Sequence, residues 1–145
     1  MDSFGYSAGI RSPQRETDFS SSESIYTADV IITDWSSVAQ EYSYTTKKPS
    51  LFINTPMKIV NRNYNLIPTA PLDISLRDEI GISVDVADLA NIGEICENLM
   101  REKESWRERI TKIVEHYIYN IGDGAKNGAD YIIGRIEHIR RSGAA

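Results

Sequence analysis

The residues of this chain best suited to chemistry are Thr33-Asp34-Trp35-Ser36-Ser37, with Glu41 four positions further on. Ser36 and Ser37 put two hydroxyls side by side where a helix is expected to begin. The first N–H groups of a helix have no partner within it, and the helix dipole favours negative charge there. Two hydroxyls and free N–H groups together suit a diphosphate. Glu41, one turn into the helix, could face the crevice above the strand ends and accept hydrogen bonds from a ribose hydroxyl pair. Asp34, at the tip of the preceding strand, could orient the turn or act as a base. Plainer roles fit the same residue types. Ser37 and Gln40 match a capping box, Asp34 is an ordinary turn residue, and Glu41 can be a solvated helix charge. The two sets of roles are compatible, and residue types alone leave both open.

The elements that must hold this turn can be read around it. Val30, Ile31 and Ile32 are consecutive and β-branched, which predicts a strand at 30–33 buried on both faces, as in a parallel sheet. Val38, Tyr42 and Thr45 or Thr46 then recur at helical spacing over 37–46. Lys47 and Lys48 sit at the negative pole of that helix, and Pro49 stops it. Residues 50–54 read as a second strand closed by Thr55-Pro56. Residues 29–54 therefore predict a β-α-β unit, right-handed and with parallel strands. Prolines and asparagines break any period between residues 57 and 77, which reads as a long loop. Lys58 and Arg62 fall in it, on the side where open α/β sheets bind ligands, as possible phosphate contacts or as solvated charges. Arg77 carries the same two readings.

Residues 80–84 alternate and predict a short third strand. Beyond Asp85 the pattern is helical: Leu89, Ile92, Cys96 and Leu99 mark one helix, with Asp85 or Asp88 as its cap. Trp106, Ile110, Ile113 and Tyr117 mark a second, after the charged break 101–104. Residues 120–124 are turn-forming, and Ala129, Ile132, Ile133, Ile136 and Ile139 mark a last helix. Cys96 lies on an apolar stripe and reads as a buried, inert thiol. His116 and His138 read as surface or boundary histidines, and Trp106 as a core anchor. Residues 1–24, with seven serines and no period, read as a flexible or irregular leader. A nucleotide-binding domain then spans 25–141, and 142–145 form a tail.

With 145 residues, 41% of them apolar, there is room for one soluble domain. A net charge of −5 argues against a nucleic-acid surface. A single cysteine makes no internal disulfide or cysteine-based metal cluster, so the expectation is a reducing, cytoplasmic setting, without cofactor or metal. No apolar run is long enough for a transmembrane helix, and no secretory signal pattern is visible at the N-terminus. At most, peripheral association with the inner face of a membrane is expected.

Residues 32–42, Ile-Thr-Asp-Trp-Ser-Ser-Val-Ala-Gln-Glu-Tyr, with Lys48-Pro49 and the strand Leu51-Phe52-Ile53, resemble the CDP-glycerol glycerophosphotransferase family, which builds teichoic acids. That family's pattern is a strand ending in Thr-Asp-aromatic-Ser-Ser, an acidic residue in the next helix, and Lys-Pro before the next strand. Trp35 stands where Tyr is usual, and Glu41 where Asp is common. Residues 122–125 and 129–132 also resemble the family's terminal helix. The likeness covers residues 25–56 well and 85–140 loosely.

The resemblance implies that Ser36 and Ser37 contact a nucleotide diphosphate, that Glu41 lies near the ribose, and that Asp34 shapes the turn. It implies a CDP-glycerol donor and a polymer acceptor. Two good strands and one doubtful one are few for a complete doubly wound domain. The expected fold is therefore α/β, a three-layer Rossmann-like partial domain forming the C-terminal half of a GT-B-like fold. A few parallel strands would be followed by a helical C-terminal region, completed by an N-terminal half or a homo-oligomer partner. The family's catalytic histidines lie in upstream motifs, so this chain is expected to be catalytically incomplete. The competing expectations are a nucleotide-sugar GT-B glycosyltransferase domain and a non-catalytic nucleotide-binding or scaffold fragment.

Overall fold

The three short runs of β-forming residues pair into one parallel sheet in a computed structural model that describes residues 23–57 and 63–143. A short helix α1 (Glu23–Thr27) leads into β1 (Ile31–Thr33), α2 (Val38–Thr46) and β2 (Ser50–Asn54). The strands lie in the order β1-β2-β3, with β3 at Gly81–Asp85. Ile31 stands opposite Ser50, and Ser50 opposite Gly81, so all three strands start level. The predicted β-α-β unit and the third strand are present. The described fold is mixed α/β, with a small parallel sheet and mostly helical content.

The central strand β2 is the buried one, with Ser50, Leu51 and Phe52 all at 1% exposure or less. The expectation that β1 is buried on both faces is not met, since Ile32 is 48% exposed. The physical reason is position: β1 is an edge strand, and among the described residues only β2 pairs with it. Gly81 is required where β3 begins. A Cβ there would lie 1.8 Å from the Ser50 carbonyl oxygen, closer than any side chain can sit.

Helix α2 packs on β1, β2 and α5 (Lys103–Tyr117). Its buried face carries Ala39, Tyr42 and Ser43. The Ser43 and Ser50 hydroxyls meet at 2.8 Å, and the Tyr42 hydroxyl donates to the Ala28 carbonyl at 3.1 Å. These three buried hydroxyls thus have partners, as burial demands. Lys47 closes the helix in the left-handed conformation, φ 59°, its N–H donating to the Ser43 carbonyl at 2.9 Å. Pro49 stops the helix as predicted.

The stretch read as one long loop contains structure: a 3-10 turn at Tyr64–Leu66, helix α3 (Leu72–Ser75) and a second 3-10 turn at Arg77–Glu79. Helix α4 (Ile92–Arg101) starts later than its apolar pattern predicts, because Val86–Asn91 winds as a 3-10 helix. Asp85 does not cap it; its carboxylate accepts from Asn54 Nδ2 at 2.8 Å across the sheet. Helix α5 absorbs part of the charged break and supplies Trp106, Ile110, Ile113 and Val114 to the core. Asn120 and Gly122 take positive φ in the turn before α6 (Gly124–Ser142). No residue of α6 is buried, and its isoleucines 132, 133, 136 and 139 are all exposed.

Candidate anion-binding site at the start of the second helix

The turn between β1 and α2 sits at the C-terminal end of an edge strand, where its polar groups reach solvent. Asp34, Ser36, Ser37 and Glu41 are all exposed. The capping box expected of Ser37 and Gln40 does not form. Ser37 is already helical, φ −64° and ψ −13°, and its hydroxyl caps nothing. Gln40 turns inward instead and donates through Nε2 to the Asp73 carbonyl at 3.0 Å. That bond ties α2 to α3 and takes Gln40 away from the helix start. Only Ser36 serves as a local acceptor, its hydroxyl taking the Val38 N–H at a long 3.4 Å. Among the described residues, the N–H groups of Ser36 and Ser37 and the Ser37 hydroxyl have no partner. They form a free donor set at the positive pole of a nine-residue helix.

Beneath the turn lies Arg77, for which the sequence left open a phosphate contact or a solvated charge. Arg77 is only 5% exposed. Its guanidinium stacks on Trp35, 3.8 Å from the ring centroid, and lies 4.7 Å from that of Phe52. Its Nη2 donates at 3.4 Å to the Asp34 carbonyl and at 3.3 Å to the Ile53 carbonyl, at the ends of β1 and β2. Trp35 is fixed in turn by its indole N–H, which donates to the Thr55 carbonyl at 2.7 Å. Arg77 has no carboxylate within salt-bridge distance among the described residues. Burial pushes its pKa down, and the more distant charges of Asp78 and Asp34 oppose that shift.

A cavity of about 20 Å³ joins these groups, lined by Asp34, Trp35, Ser36, Gln40 and Arg77 among others. It has room for a water molecule and none for a phosphate group. Two buried polar atoms on its lining residues have no partner: the Gln40 carbonyl oxygen and the Arg77 Nε. An anion would therefore meet this network at its Ser36 rim.

The structure brings together Asp34, Ser36 and Arg77 and leaves other candidates apart. Glu41 lines a separate groove of about 300 Å³, with Tyr26, Val38, Tyr42 and Tyr44. Ser37 lines neither depression. Lys58 and Arg62 lie outside the described residues. His116 packs edge-on against Tyr117 on α5, centroids 4.5 Å apart, and His138 is exposed on α6. Cys96 is half-buried against the core, and burial pushes its thiol pKa up. Among the described residues no group of three or more His, Cys, Asp or Glu side chains could hold a metal, and no helix is long and apolar enough to cross a membrane.

A second charged depression, of about 220 Å³, lies at the other end of α2, roughly 14 Å away along the helix. Lys47, Lys48, Lys103 and Arg107 line it with Asp29 and Glu104. Lys48 and Asp29 pair at 3.8 Å there, and Arg107 and Glu104 at 3.7 Å. Those pairs offset half of its positive charge. Compared with protein-family models, with curated proteins and with solved structures, the chain matches none.

Proposed function

We propose that this chain is the nucleotide-binding part of a GT-B-like transferase that moves glycerol phosphate from CDP-glycerol to a cell-surface polymer at the cytoplasmic face of the membrane. The observation that carries the reading is the uncapped turn: Ser36 and Ser37 leave their N–H groups and the Ser37 hydroxyl without partners at a helix start. A buried or paired turn would serve folding alone. An exposed, unpaired one suits an anion that accepts from several donors at once.

In this reading an acceptor hydroxyl attacks the phosphorus that bears the glycerol. The bond to the bridging oxygen breaks, CMP leaves with that oxygen, and the hydroxyl proton passes to a base. Ser36 and Ser37 hold the diphosphate and stabilise the charge that grows on the leaving phosphate. Asp34 shapes the turn. Glu41, in its tyrosine-lined groove, takes the ribose hydroxyls. The base comes from a segment or subunit outside the described residues, since neither histidine borders the turn.

Calorimetric titration of the chain with CDP, CMP and UDP tests the reading. Tighter binding of CDP or CMP than of UDP is expected, and replacing Ser36 and Ser37 together by alanine should abolish it. Preference for UDP would move the assignment to a sugar transferase. No binding at millimolar nucleotide would leave only a non-catalytic scaffold.

A further inference from the structure

We propose that Arg77 is the positioning residue of the anion site, the buried cation that sets the Asp34-Trp35-Ser36 turn and supplies the charge an anion at Ser36 and Ser37 answers. This rests on reading that turn as an anion site. Three observations support it independently of the helix start. First, the guanidinium is 5% exposed and has no carboxylate within salt-bridge distance among the described residues. A buried charge with no carboxylate in contact, offset only by the more distant Asp34 and Asp78, is costly, and an anion held nearby lowers that cost. Second, its Nε is a buried donor without a partner, and Arg77 lines the same cavity as Ser36. Third, its ring and side-chain hydrogen-bond contacts are to the turn and to β2: the Trp35 ring, the Asp34 carbonyl, the Ile53 carbonyl and the Phe52 ring.

The chemistry of those contacts explains the choice of arginine. A planar guanidinium can stack on an indole while its edge donates to carbonyls, which an ammonium cannot do. The cation also withdraws the Asp34 carbonyl into a hydrogen bond, so the peptide that follows is held in one orientation. The cavity excludes a phosphate group, so Arg77 acts from below the turn and an anion sits above it.

Inorganic pyrophosphate, titrated into the full chain and its Arg77→Met and Arg77→Lys variants, tests this, with melting temperature read alongside. Arg77→Met should weaken pyrophosphate binding by about tenfold or more, because the anion loses a cation held several ångströms beneath it and the turn loses its anchor. Arg77→Lys should fall between, because it keeps the charge and loses the stack. Without ligand, the melting temperature of Arg77→Met reports the structural cost of losing the two carbonyl bonds and the Trp35 stack, and affinity is read at a temperature where the variant is folded. A purely structural arginine would lower the melting temperature and leave the affinity unchanged. Wild-type affinity in Arg77→Met, or no pyrophosphate binding by the unchanged protein, would overturn the proposal. If Arg77→Met does not fold, the comparison falls to Arg77→Lys, and unchanged affinity there overturns it equally. The nucleotide reading is judged apart: pyrophosphate binding that depends on Arg77, with CDP binding no tighter than pyrophosphate, would contradict the CDP-glycerol assignment and leave the role of Arg77 standing.

Discussion

Tyr42 shows how strongly single side chains are held around the turn. It is 1% exposed, and its hydroxyl donates to the Ala28 carbonyl at 3.1 Å. Burial raises its pKa from 10.0 to about 12, with a contact to Thr46 opposing the rise and the charge of Asp29 adding to it. The folded state therefore favours the neutral phenol. The stability this confers is complete below pH 10, where the unfolded chain also keeps its proton. It is lost as pH rises from 10 through about 12. Urea denaturation across that range should show stability falling with pH, and Tyr42→Phe should flatten the fall. The slope left in the variant includes Tyr44 and Cys96, whose pKa values burial also raises. An equal slope in both proteins would place the alkaline transition elsewhere.

Residue types singled out Asp34, Ser36, Ser37 and Glu41 as candidates, because hydroxyls and carboxylates beside a strand end carry their chemistry locally. Arg77 was a candidate by residue type alone, but its place beneath the turn could not be found that way. Its burial depends on Trp35, 42 positions earlier, and on strand ends that only the fold brings beneath it. The signal that could have marked it is negative: apart from Arg62, it is the only arginine between the second strand and the third.

At the scale of elements, the sheet depends on one close approach. Ser50 donates its N–H to the Ile80 carbonyl at 3.0 Å, and Gly81 then passes directly against the Ser50 carbonyl. The obstacle to any larger residue is backbone, which cannot swing away. Gly81→Ala should therefore separate β2 from β3 and destabilise the protein by about 3 kcal/mol or more, at the upper end of overpacking costs. The shift in urea midpoint measures this, and a loss under about 1 kcal/mol would mean that the strands are paired differently.

The helix and strand periods predicted β2, β3, α2 and the core face of α5, since burial of alternating or stripe residues is a local property. Their ends were less legible. The Ser37–Gln40 box failed because the Asp73 carbonyl claims the Gln40 side chain, a tertiary competitor absent from the local pattern. Val86–Asn91 is 3-10 and α4 begins after it, although the apolar spacing runs through both. β1 has the composition of a central strand and the position of an edge strand, and composition cannot tell the two apart.

At the scale of the molecule, two features stand out. Among the described residues the sheet ends at β1 and β3, and α6 presents Ile132, Ile133, Ile136 and Ile139 to solvent. In proteins most helix stability comes from packing such an apolar face. Both features agree with the expectation of a partial Rossmann-like domain, in which other surfaces meet the sheet edge and the last helix. The two charged depressions at opposite ends of α2 make the location of an anion the decisive question. One has Ser36 at its rim and a buried arginine in its lining; the other is lined by four cations, two of them paired.

Amide chemical shifts, followed by two-dimensional NMR as CDP is added to the full chain, answer that question most directly. Binding at the turn predicts saturable shifts centred on the N–H groups of Ser36, Ser37 and Val38, with the Trp35 indole N–H and the Arg77 side chain following. Shifts confined to Lys47, Lys48, Lys103 and Arg107, or none at saturating CDP, would contradict a nucleotide-diphosphate site at Ser36 and Ser37.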